Sequence, residues 1–456
     1  MDGNQAELLA QISPLDGRYR DKVKELGKYF SEGALIKQRV WVEVKYVLAL
    51  AEFLNTGSER KLLKVRNLKT WAENLTDKDL VRVKKIEAEI NHDVKAVEYF
   101  IRENLGKFKL EKLSPWIHWG LTSEDVNNLT YGLLLQKFKD EELVKLESDL
   151  IKKLTEMALK HKSVVMPART HGQIAVPTTV GKELAVFIER GRWWLKKIKE
   201  LKLGGKLNGA VGNFNAQAKL YPQKDWLSFS EKFVSSLGLE PVMATTQIEP
   251  GDRTAHFLDL IRGLNNVWLD LAKDCWLYIA FDYFKQKVVV KEVGSSTMPH
   301  KINPIDFENA EGNLEMANCI LMMMSQKFPV SRLQRDLSDS TVKRNFGVAF
   351  GHTILAMKSL LKGLGKIEPN REWLKQEIEN HPEMLAEAEQ LKMKTQGDAE
   401  AYEKIKKLTR GGIRPLRGTD APLKTVKGSD VSRAFALEEY IGLAVKITEQ
   451  TVRRLK

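Results

Sequence analysis

The positions of proline restrict the fold of this chain more than any other feature of its sequence. Only 14 of the 456 residues are proline. Three long stretches without proline lie between Pro14 and Pro115, between Pro177 and Pro222, and between Pro250 and Pro299. Because proline ends or kinks a helix, these stretches are free to form long helices.

The third stretch predicts one helix of unusual length. Its apolar residues recur three and four positions apart over roughly 30 residues, which is the period of a helix. They are Phe257, Leu260, Ile261, Leu264, Val267, Trp268, Leu271, Cys275 and Tyr278. These positions cover much of the helix surface, so we expect the helix to be buried along most of its girth.

The rest of the chain predicts the same kind of architecture. A second long helix is indicated by Leu184, Phe187, Ile188, Leu195 and Ile198. Strand patterns of period 2 are scarce, and the best candidate is the short run KQKVVVKEV. We therefore predict an all-α protein built around a central bundle of long helices. Three helical domains are expected, over residues 1–112, 113–364 and 365–456, with the long helices in the second.

Composition narrows the class of protein. Hydrophobic residues make up 43% and charged residues 29%, as in ordinary globular proteins. No apolar run approaches the roughly 20 residues that span a bilayer, and the N-terminus lacks the pattern of a secretory signal. Cys275 and Cys319 lie in apolar helical patterns and are interpreted as core thiols. Such thiols are typical of a reducing compartment, so we predict a cytoplasmic protein. No Cys/His cluster has metal-ligand spacing, so no metal is predicted. The lack of a spanning segment predicts no membrane partner.

The formal charge of +13 raises the question of nucleic-acid binding. The largest basic cluster, WWLKKIKELKLGGK from Trp193 to Lys206, keeps helical spacing and follows Glu183 and Glu189. This pattern favours a solvated helix face. The sequence contains no zinc-finger or RNP-type motif, so no nucleic-acid partner is expected. A basic surface also attracts a small polyanionic substrate.

The run KEVGSSTMPHKINPIDFENAEGN combines a loop with a helix start. Asn303 suits an N-cap and Pro304 the first helical position. Lys301 precedes this helix N-terminus, where free N–H groups favour an anion. A loop serine such as Ser295 beside a carboxylate-ready pocket suggests proton abstraction next to a carboxylate. The alternative interpretation is a flexible loop before a capped helix.

Two further motifs carry candidate site residues. ARTHGQ places His171 in a proline-flanked connection, where it is a candidate acid or base near neutral pH. The alternative is a loop histidine that hydrogen-bonds to the backbone. GLTSEDVNNL has an N-cap signature at Thr122 and Ser123, and those hydroxyls could also hold a carboxylate or phosphate. Capping alone is the alternative here.

The run SRLQRDLSDSTVKRN supplies Arg335, Ser340 and Arg344 within ten residues. Arginine forks with nearby hydroxyls match phosphate geometry. The alternative is a solvated basic helix whose partners are Asp336 and Asp339. DGRY and INHDVKAVEY are weaker candidates, and the glycines of GGKLNGAVGN fit neither the P-loop nor the dinucleotide spacing.

Taken together, these motifs resemble a known family. GSSTMPHKINP is similar to the signature loop of the fumarase/aspartase superfamily, whose members eliminate fumarate from succinyl-type substrates. Seven further segments, in family order from about residue 13 to 345, resemble one bacterial branch of this superfamily. That branch acts on succinylated purine nucleotides. The seven segments are SPLDGRY, NHDVKAVEYF, TSEDVNNL, RTHGQ, NGAVGN, TTQIEP and SRLQRDLSDSTVKRN. The family fold, a homotetramer around a core of long helices, agrees with the all-α prediction.

The resemblance implies a reaction and a set of roles. The reaction is elimination of fumarate from adenylosuccinate to give AMP, and from SAICAR to give AICAR, without metal or organic cofactor. Ser295 would be the base and His171 the general acid. The succinyl carboxylates would be held by Lys301, Asn303, Thr122 and Ser123. The nucleotide end would be bound by Arg18, Tyr19, Arg335, Ser340 and Arg344. The remaining pocket would be lined by Asn91, His92, Asp93 and Gln247.

The resemblance also implies an assembly and leaves alternatives. Family sites combine segments from three subunits, so a monomer is expected to be inactive. After QIEP the bacterial branch is expected to have a histidine, whereas this chain has Gly251. One alternative is another fumarate-releasing lyase, of the argininosuccinate lyase or aspartase type, although those substrates carry no phosphate. Another is a non-catalytic protein on the same scaffold.

Overall fold

A computed structural model describes residues 9–54, 67–287, 297–298, 300–410 and 439–453. The predicted base, Ser295, and most of the predicted strand KQKVVVKEV therefore lie outside the described residues. Within those ranges, no helix is long and apolar enough to cross a membrane.

The described chain is dominated by helices, which confirms the predicted all-α class. In chain order they are α1 Arg20–Val23, α2 Gly27–Phe30, α3 Glu32–Phe53, α4 Asp77–Ile90, α5 Asp93–Asn104, α6 Ser123–Phe138, α7 Val144–Lys160, α8 Val180–Glu200, α9 Asn215–Leu220, α10 Trp226–Ser236, α11 Asp252–Ala280, α12 Ile305–Lys327, α13 Ser338–Lys343, α14 Phe346–Lys366, α15 Arg371–Glu379, α16 Ala386–Thr395, α17 Ala401–Arg410 and α18 Ala444–Arg453.

Both predicted long helices are present. Helix α11 has 29 residues, and α8 has 21. On α11, Phe257, Ile261, Leu264 and Trp268 are all at most 1% exposed. These four side chains share one face of α11, which is its buried face, whereas Trp276 and Leu277 are exposed.

The strands are short and form three two-stranded sheets. The antiparallel pairs are β1 Val165–Thr170 with β2 Gln173–Thr179, and β5 Phe284–Gln286 with β6 Ile367–Pro369. A parallel pair joins β3 Gly204–Gly205 to β4 Glu240–Pro241.

The proline-flanked connection that carries His171 is the β1–β2 hairpin. Pro167 and Pro177 are cross-strand partners, beside a register shift between Pro167 and Arg169. Each strand of a two-stranded sheet is an edge strand, where a missing N–H is tolerated. Pro167 and Pro177 are therefore compatible with this hairpin.

Contacts between residues divide the chain into two compact units. Unit 1 comprises residues 1–148, 193–269 and 310–358, and unit 2 comprises residues 149–192, 270–309 and 359–456. The three sequence-based domains stay a prediction.

The core of unit 1 contains an aromatic cluster. Phe138 lies 5.1 Å from Phe30 and 4.6 Å from Phe350, measured between ring centroids. Phe346 stacks on Phe350 with its ring plane tilted by 8°. Offset or tilted aromatic pairs add stability beyond the area that they bury.

The core of unit 2 contains Phe307, which is 1% exposed. A Cβ atom placed on Gly363 of α14 would come within 2.9 Å of the Phe307 ring. Because glycine has no side chain, α14 can pack closely against this ring. Nearby, Asp306 pairs with Lys366 at 2.8 Å. Asp306 lies in the first turn of α12, and the helix begins at Ile305 rather than at the predicted Pro304.

One cysteine prediction is wrong. Cys275 is buried as expected, but Cys319 is exposed. The buried face of α12 near this position is formed by Leu314, Ala317 and Leu321. Cys319 lies two residues from both Ala317 and Leu321, and a two-residue step turns the side chain to the opposite side of a helix.

Candidate active site

The N-terminus of α6 carries the predicted residues Thr122 and Ser123. Thr122 is the N-cap, and a capping box links it to Asp125, whose carboxylate accepts the Thr122 N–H at 2.9 Å. Both hydroxyl residues are half-buried. The cap predicted from the sequence is therefore present, and it fixes the backbone that carries these two hydroxyls.

Asp125 and Lys206 form a completely buried ion pair, with both side chains at 0% exposure and 2.9 Å between Lys206 Nζ and Asp125 Oδ1. The Asp125 carboxylate also accepts the N–H groups of Asn208 and Gly209. Lys206 donates to the carbonyls of Gly209 at 3.0 Å and Gln247 at 2.9 Å. All three donors of the ammonium group are thus used.

Predicted residues from distant segments meet at Glu124, which is 2% exposed. Arg335 donates to Glu124 Oε1 and to Gln247 Oε1, each at 3.1 Å. Lys343 lies 3.6 Å from Glu124 and 2.6 Å from Asp339. Burial opposes the charge on Lys343, yet these carboxylates hold its pKa above the ordinary value. Arg335 is therefore held by a protein carboxylate, not freely solvated.

A second ionic cluster surrounds Asp93 at the start of α5. Its carboxylate binds Arg39 at 2.8 Å and Arg344 at 3.2 Å, and Arg344 also binds Glu32 at 3.1 Å. Burial disfavours the charged carboxylate, but Arg39 and Arg344 keep the pKa of Asp93 below its usual range. The structure thus joins two predicted residues, Asp93 and Arg344, which are distant in sequence.

The neighbouring predicted residues have local roles. His92 is the N-cap of α5 and accepts the Lys95 N–H at its Nδ1, at 3.1 Å. Asn91 ends α4 in a left-handed conformation, with φ of 53°. Both side chains are exposed.

The remaining nucleotide-end candidates lie in unit 1. Arg18 is exposed, with its guanidinium 5.9 Å from the ring centroid of half-buried Tyr19. Ser340 lies half-buried on α13. Beside Arg344, a cleft is lined by Tyr29, Phe30, Glu32, Leu35, Tyr131, Lys343, Arg344, Phe346 and Gly347. The aromatic rings can stack on a flat ligand, and Lys343 and Arg344 can pair with an anionic group.

His171 lies at the tip of the β1–β2 hairpin, in unit 2. The connection between the strands is His171–Gly172, with φ of 54° and 74°. Positive φ at both residues is typical of a type I′ turn, where glycine fits without strain. The His171 side chain is exposed.

Arg169 fastens this hairpin. Its guanidinium donates to Tyr283 Oη at 2.9 Å, to Glu377 Oε1 at 2.9 Å and to the Gly172 carbonyl at 3.2 Å. It also lies 4.8 Å from the ring centroid of Phe281. The turn that carries His171 is thereby connected to α15.

Lys301 and Asn303 precede α12 in unit 2. Lys301 is exposed and Asn303 is half-buried. Gln286 donates a hydrogen bond to the Ile302 carbonyl at 3.0 Å, which ties this segment to β5.

Several polar residues of unit 1 escaped sequence analysis. His118 and the fully buried Glu43 approach to 2.5 Å. Burial opposes the charged ring, yet Glu43 raises the pKa of His118 above its ordinary value. Lys206 ends the basic cluster that was predicted to be a solvated helix face, but α8 ends at Glu200 and Lys206 is buried. Arg39 and Glu43 belong to no motif with recognisable spacing. His118 stands four residues before Thr122, and this proximity to a candidate motif was the one available signal.

Gly251, which replaces the expected histidine, has a clear structural role. Its φ is 85°, and a Cβ atom there would lie 2.7 Å from the Phe328 carbonyl oxygen. A side chain at this position would therefore meet both backbone strain and a collision. Among the described residues, no group of three or more His, Cys, Asp or Glu is placed to hold a metal ion.

Comparison with known families identifies the class of protein. The family described as Lyase matches residues 17–318, and the one described as Adenylosuccinate lyase C-terminal matches residues 331–433. The first match covers more than half of the chain, which therefore belongs to this lyase family. The resemblance to the fumarase/aspartase superfamily is confirmed.

Individual relatives narrow the family further. The chain is 43% identical to adenylosuccinate lyase of Haemophilus influenzae, over 98% of this chain and 99% of the relative. It is 44% identical to that of Escherichia coli K12, over 88% and 89%, and 44% identical to that of Dictyostelium discoideum, over 89% of each chain. The chain belongs to the adenylosuccinate lyase family.

Solved structures agree on the fold. A fumarate lyase from Mesorhizobium superposes with a TM-score of 0.74 at 16% identity, covering 95% of this chain and 97% of that one. A 3-carboxy-cis,cis-muconate lactonizing enzyme from Pseudomonas putida gives a TM-score of 0.75 at 19% identity, covering 94% and 96%. At such low identity the likeness concerns architecture alone.

Proposed function

We propose that this chain is a carbon–nitrogen lyase that eliminates fumarate from adenylosuccinate to give AMP, and from SAICAR to give AICAR. The observation that carries the proposal is 43% identity to an adenylosuccinate lyase along nearly the whole of both chains. Both reactions break a C–N bond between a succinyl group and a nucleotide, and both belong to purine biosynthesis.

The chemical step needs one base and one acid. Ser295 removes a proton from the succinyl carbon adjacent to the C–N carbon, and the released electron pair becomes the C=C bond of fumarate. The C–N bond breaks, and His171 protonates the departing nitrogen. A serine is a poor base unless its surroundings polarise it. The exposed position of His171 on a tight turn supports the role of a proton donor that reaches a bound ligand.

The charged groups of the substrate call for two kinds of contact. Thr122, Ser123, Lys301 and Asn303 hold the succinyl carboxylates and stabilise the additional negative charge that develops during proton removal. Thr122 and Ser123 lie at the start of α6, and Lys301 and Asn303 precede α12. The free N–H groups at a helix start favour anions.

The nucleotide end is assigned to a larger set of residues. Its phosphate is bound by Arg18, Tyr19, Arg335, Ser340 and Arg344, while Asn91, His92, Asp93 and Gln247 line the remaining pocket. The pairing of Arg335 and Arg344 with carboxylates supports this assignment, because an incoming phosphate can replace a carboxylate at a guanidinium fork.

The proposed assembly is a cytoplasmic homotetramer with sites shared between subunits. No metal or organic cofactor takes part in the proposed reaction. The partners are the nucleotide substrates and other copies of the chain, with no nucleic acid and no membrane among them.

The first test is the ultraviolet change on mixing the protein with adenylosuccinate. The parent should convert it, Ser295→Ala should lose nearly all activity, and Ser296→Ala should serve as the matched loop control. If the parent fails to convert adenylosuccinate, the proposal is overturned, and argininosuccinate and aspartate become the substrates to try.

Phosphate recognition is tested by charge reversal. Arg335→Glu should raise KM for adenylosuccinate strongly, since a carboxylate would face both the phosphate and Glu124. Arg332→Glu, at an exposed arginine three positions earlier, is the control and should leave KM near the parent's. An unchanged KM in the Arg335 variant would contradict the assignment.

A further inference from the structure

The buried pair of Asp125 and Lys206 has no role in the chemistry proposed above. Neither side chain is exposed, so neither can contact substrate directly. Burying two charges costs free energy that their attraction often fails to recover, and apolar replacements are often equally stable. Stability alone is therefore a weak explanation for this pair.

The contacts of the pair reach two segments that carry predicted substrate residues. Asp125 holds the backbone N–H of Thr122, and Lys206 holds the backbone carbonyl of Gln247. The Gln247 side chain in turn accepts a hydrogen bond from Arg335. One ion pair thus connects the proposed carboxylate-binding end of α6 with the proposed phosphate-binding arginine.

Further hydrogen bonds make this connection rigid. Asn128 exchanges two hydrogen bonds with the Lys206 backbone, accepting at 2.8 Å and donating at 3.1 Å. Asn208 donates its N–H to Asp125 at 3.0 Å. A polar network in which every member has partners fixes a single geometry.

We propose that Asp125 and Lys206 are positioning residues for the elimination reaction. The pair sets the distance between the Thr122–Ser123 hydroxyls and the Gln247–Arg335 contact, so that the succinyl and nucleotide ends of one substrate are held at once. This inference rests on the proposed function. Displacements of about 1 Å in substrate-positioning groups can cost about 100-fold in rate.

The experiment compares Asp125→Asn, Lys206→Met and the double variant, with kcat, KM and Tm measured for each. Each single variant leaves one buried group without its charged partner, so both should lower Tm. The double variant removes both charges and should regain much of the Tm. Its kcat for adenylosuccinate should nevertheless stay about 100-fold below the parent's, because the Gln247 carbonyl and the Thr122 N–H have lost the charged groups that held them.

A matched control separates positioning from structure. Lys139 follows the C-terminus of α6, at the end of the helix away from Thr122. It is also buried, at 2% exposure, and donates to the Leu201 carbonyl. Lys139→Met should lower Tm while leaving kcat near the parent's. If the double variant regains both Tm and kcat, the pair is merely structural and the proposal is overturned.

A second variant applies if the double variant does not fold. Lys206→Arg keeps the charge, but a planar guanidinium cannot direct its donors as an ammonium group does. The proposal requires a reduced kcat in this variant, and a parental kcat would overturn it. Absence of turnover in the parent would instead contradict the proposed function.

Discussion

At the scale of single residues, Glu147 is a carboxyl group buried completely within unit 1. Its Oε2 accepts a hydrogen bond from Trp268 Nε1 at 2.8 Å, while its Oε1 has no hydrogen-bond partner among the described residues. Burial raises the pKa of Glu147 to about 8, and the Trp268 hydrogen bond offsets only part of this effect. At neutral pH the folded protein therefore keeps this carboxyl protonated.

The raised pKa of Glu147 predicts a pH-dependent Tm. Between its unfolded value of 4.5 and its folded value of about 8, the folded state binds a proton that the unfolded state has released. Stability therefore falls as pH rises through this window, by at most about 1.4 kcal/mol per unit. Glu147→Gln should remove this loss, so its Tm should exceed the parent's increasingly between pH 5 and pH 8.

The control for this prediction is Glu156→Gln, at an exposed position on the same helix, α7. Its Tm difference from the parent should not change with pH. A constant Tm difference for Glu147→Gln over the same range would contradict the raised pKa.

Gly251 leads to a second prediction at the residue scale. Gly251→Ala should destabilise the protein by about 1–3 kcal/mol, since alanine would be forced to positive φ and against the Phe328 carbonyl. Gly397→Ala, at a positive φ with no atom within 4 Å of the added Cβ, provides a comparison for strain without collision. Thermal unfolding should show the larger loss for Gly251→Ala, and equal losses would contradict the role of the close contact.

Local residue roles follow from the sequence, whereas pairs of distant residues do not. The Thr122 cap and the His92 helix start could be predicted, because a cap and its partner lie within three residues. The pairs Glu43–His118 and Asp125–Lys206 join positions 75 or more residues apart. No spacing rule relates such residues, so only the folded chain identifies them.

At the scale of elements, the β1–β2 hairpin determines where His171 is presented. Arg169→Lys keeps the positive charge but cannot reproduce the forked contacts with Tyr283, Glu377 and Gly172. We expect about a tenfold loss of kcat with little change in KM, because His171 would be misplaced for proton transfer while substrate binding persists.

Steady-state kinetics with adenylosuccinate measure this effect. Arg190→Lys is the control. Arg190 lies in the same unit and pairs with Asp270. Among the hydrogen bonds described, Asp270 has none to the hairpin. A parental kcat in Arg169→Lys would mean that the hairpin holds its shape without the guanidinium.

Elements differ in how well their sequence predicts them. The 29 residues of α11 were predictable, because a long apolar period without proline has few other solutions. The hairpin was missed, since its prolines obscure the strand pattern and its pairing depends on tertiary contacts. The start of α12 was predicted one residue early, within the usual uncertainty of helix ends.

At the scale of the whole molecule, the proposed sharing of sites between subunits can be tested by mixing inactive variants. His171→Ala and Ser295→Ala should each be inactive alone. Mixed tetramers should regain activity if a site takes these two residues from different chains, since some sites then contain both intact residues. Activity is measured with adenylosuccinate after the two proteins are dissociated and reassembled together.

Each variant taken through the same dissociation and reassembly alone is the control. Continued inactivity of a mixture shown to contain mixed tetramers would mean that both residues of a site come from one chain.

The fold class and the family were predicted from the sequence and are confirmed, whereas the homotetramer remains a prediction. Helical period and motif order are recorded locally along one chain, and the matches to lyase families agree with both. Domain limits, subunit number and the meeting of His171 with Ser295 depend on contacts between distant segments or separate chains. Those contacts leave no short pattern in the sequence.

The Asp125–Lys206 pair also has a consequence for synthesis of the chain. In the network around it, Asn128 and Lys206 are 78 positions apart, and Asp125 precedes Asn128, so Asp125 emerges from the ribosome long before Lys206. At roughly 5 to 20 residues per second, several seconds separate their appearance. During that interval the Asp125 carboxylate is solvated, because the partner with which it is buried has not yet been synthesised. This part of the nascent chain is therefore accessible to proteases and chaperones until Lys206 has emerged.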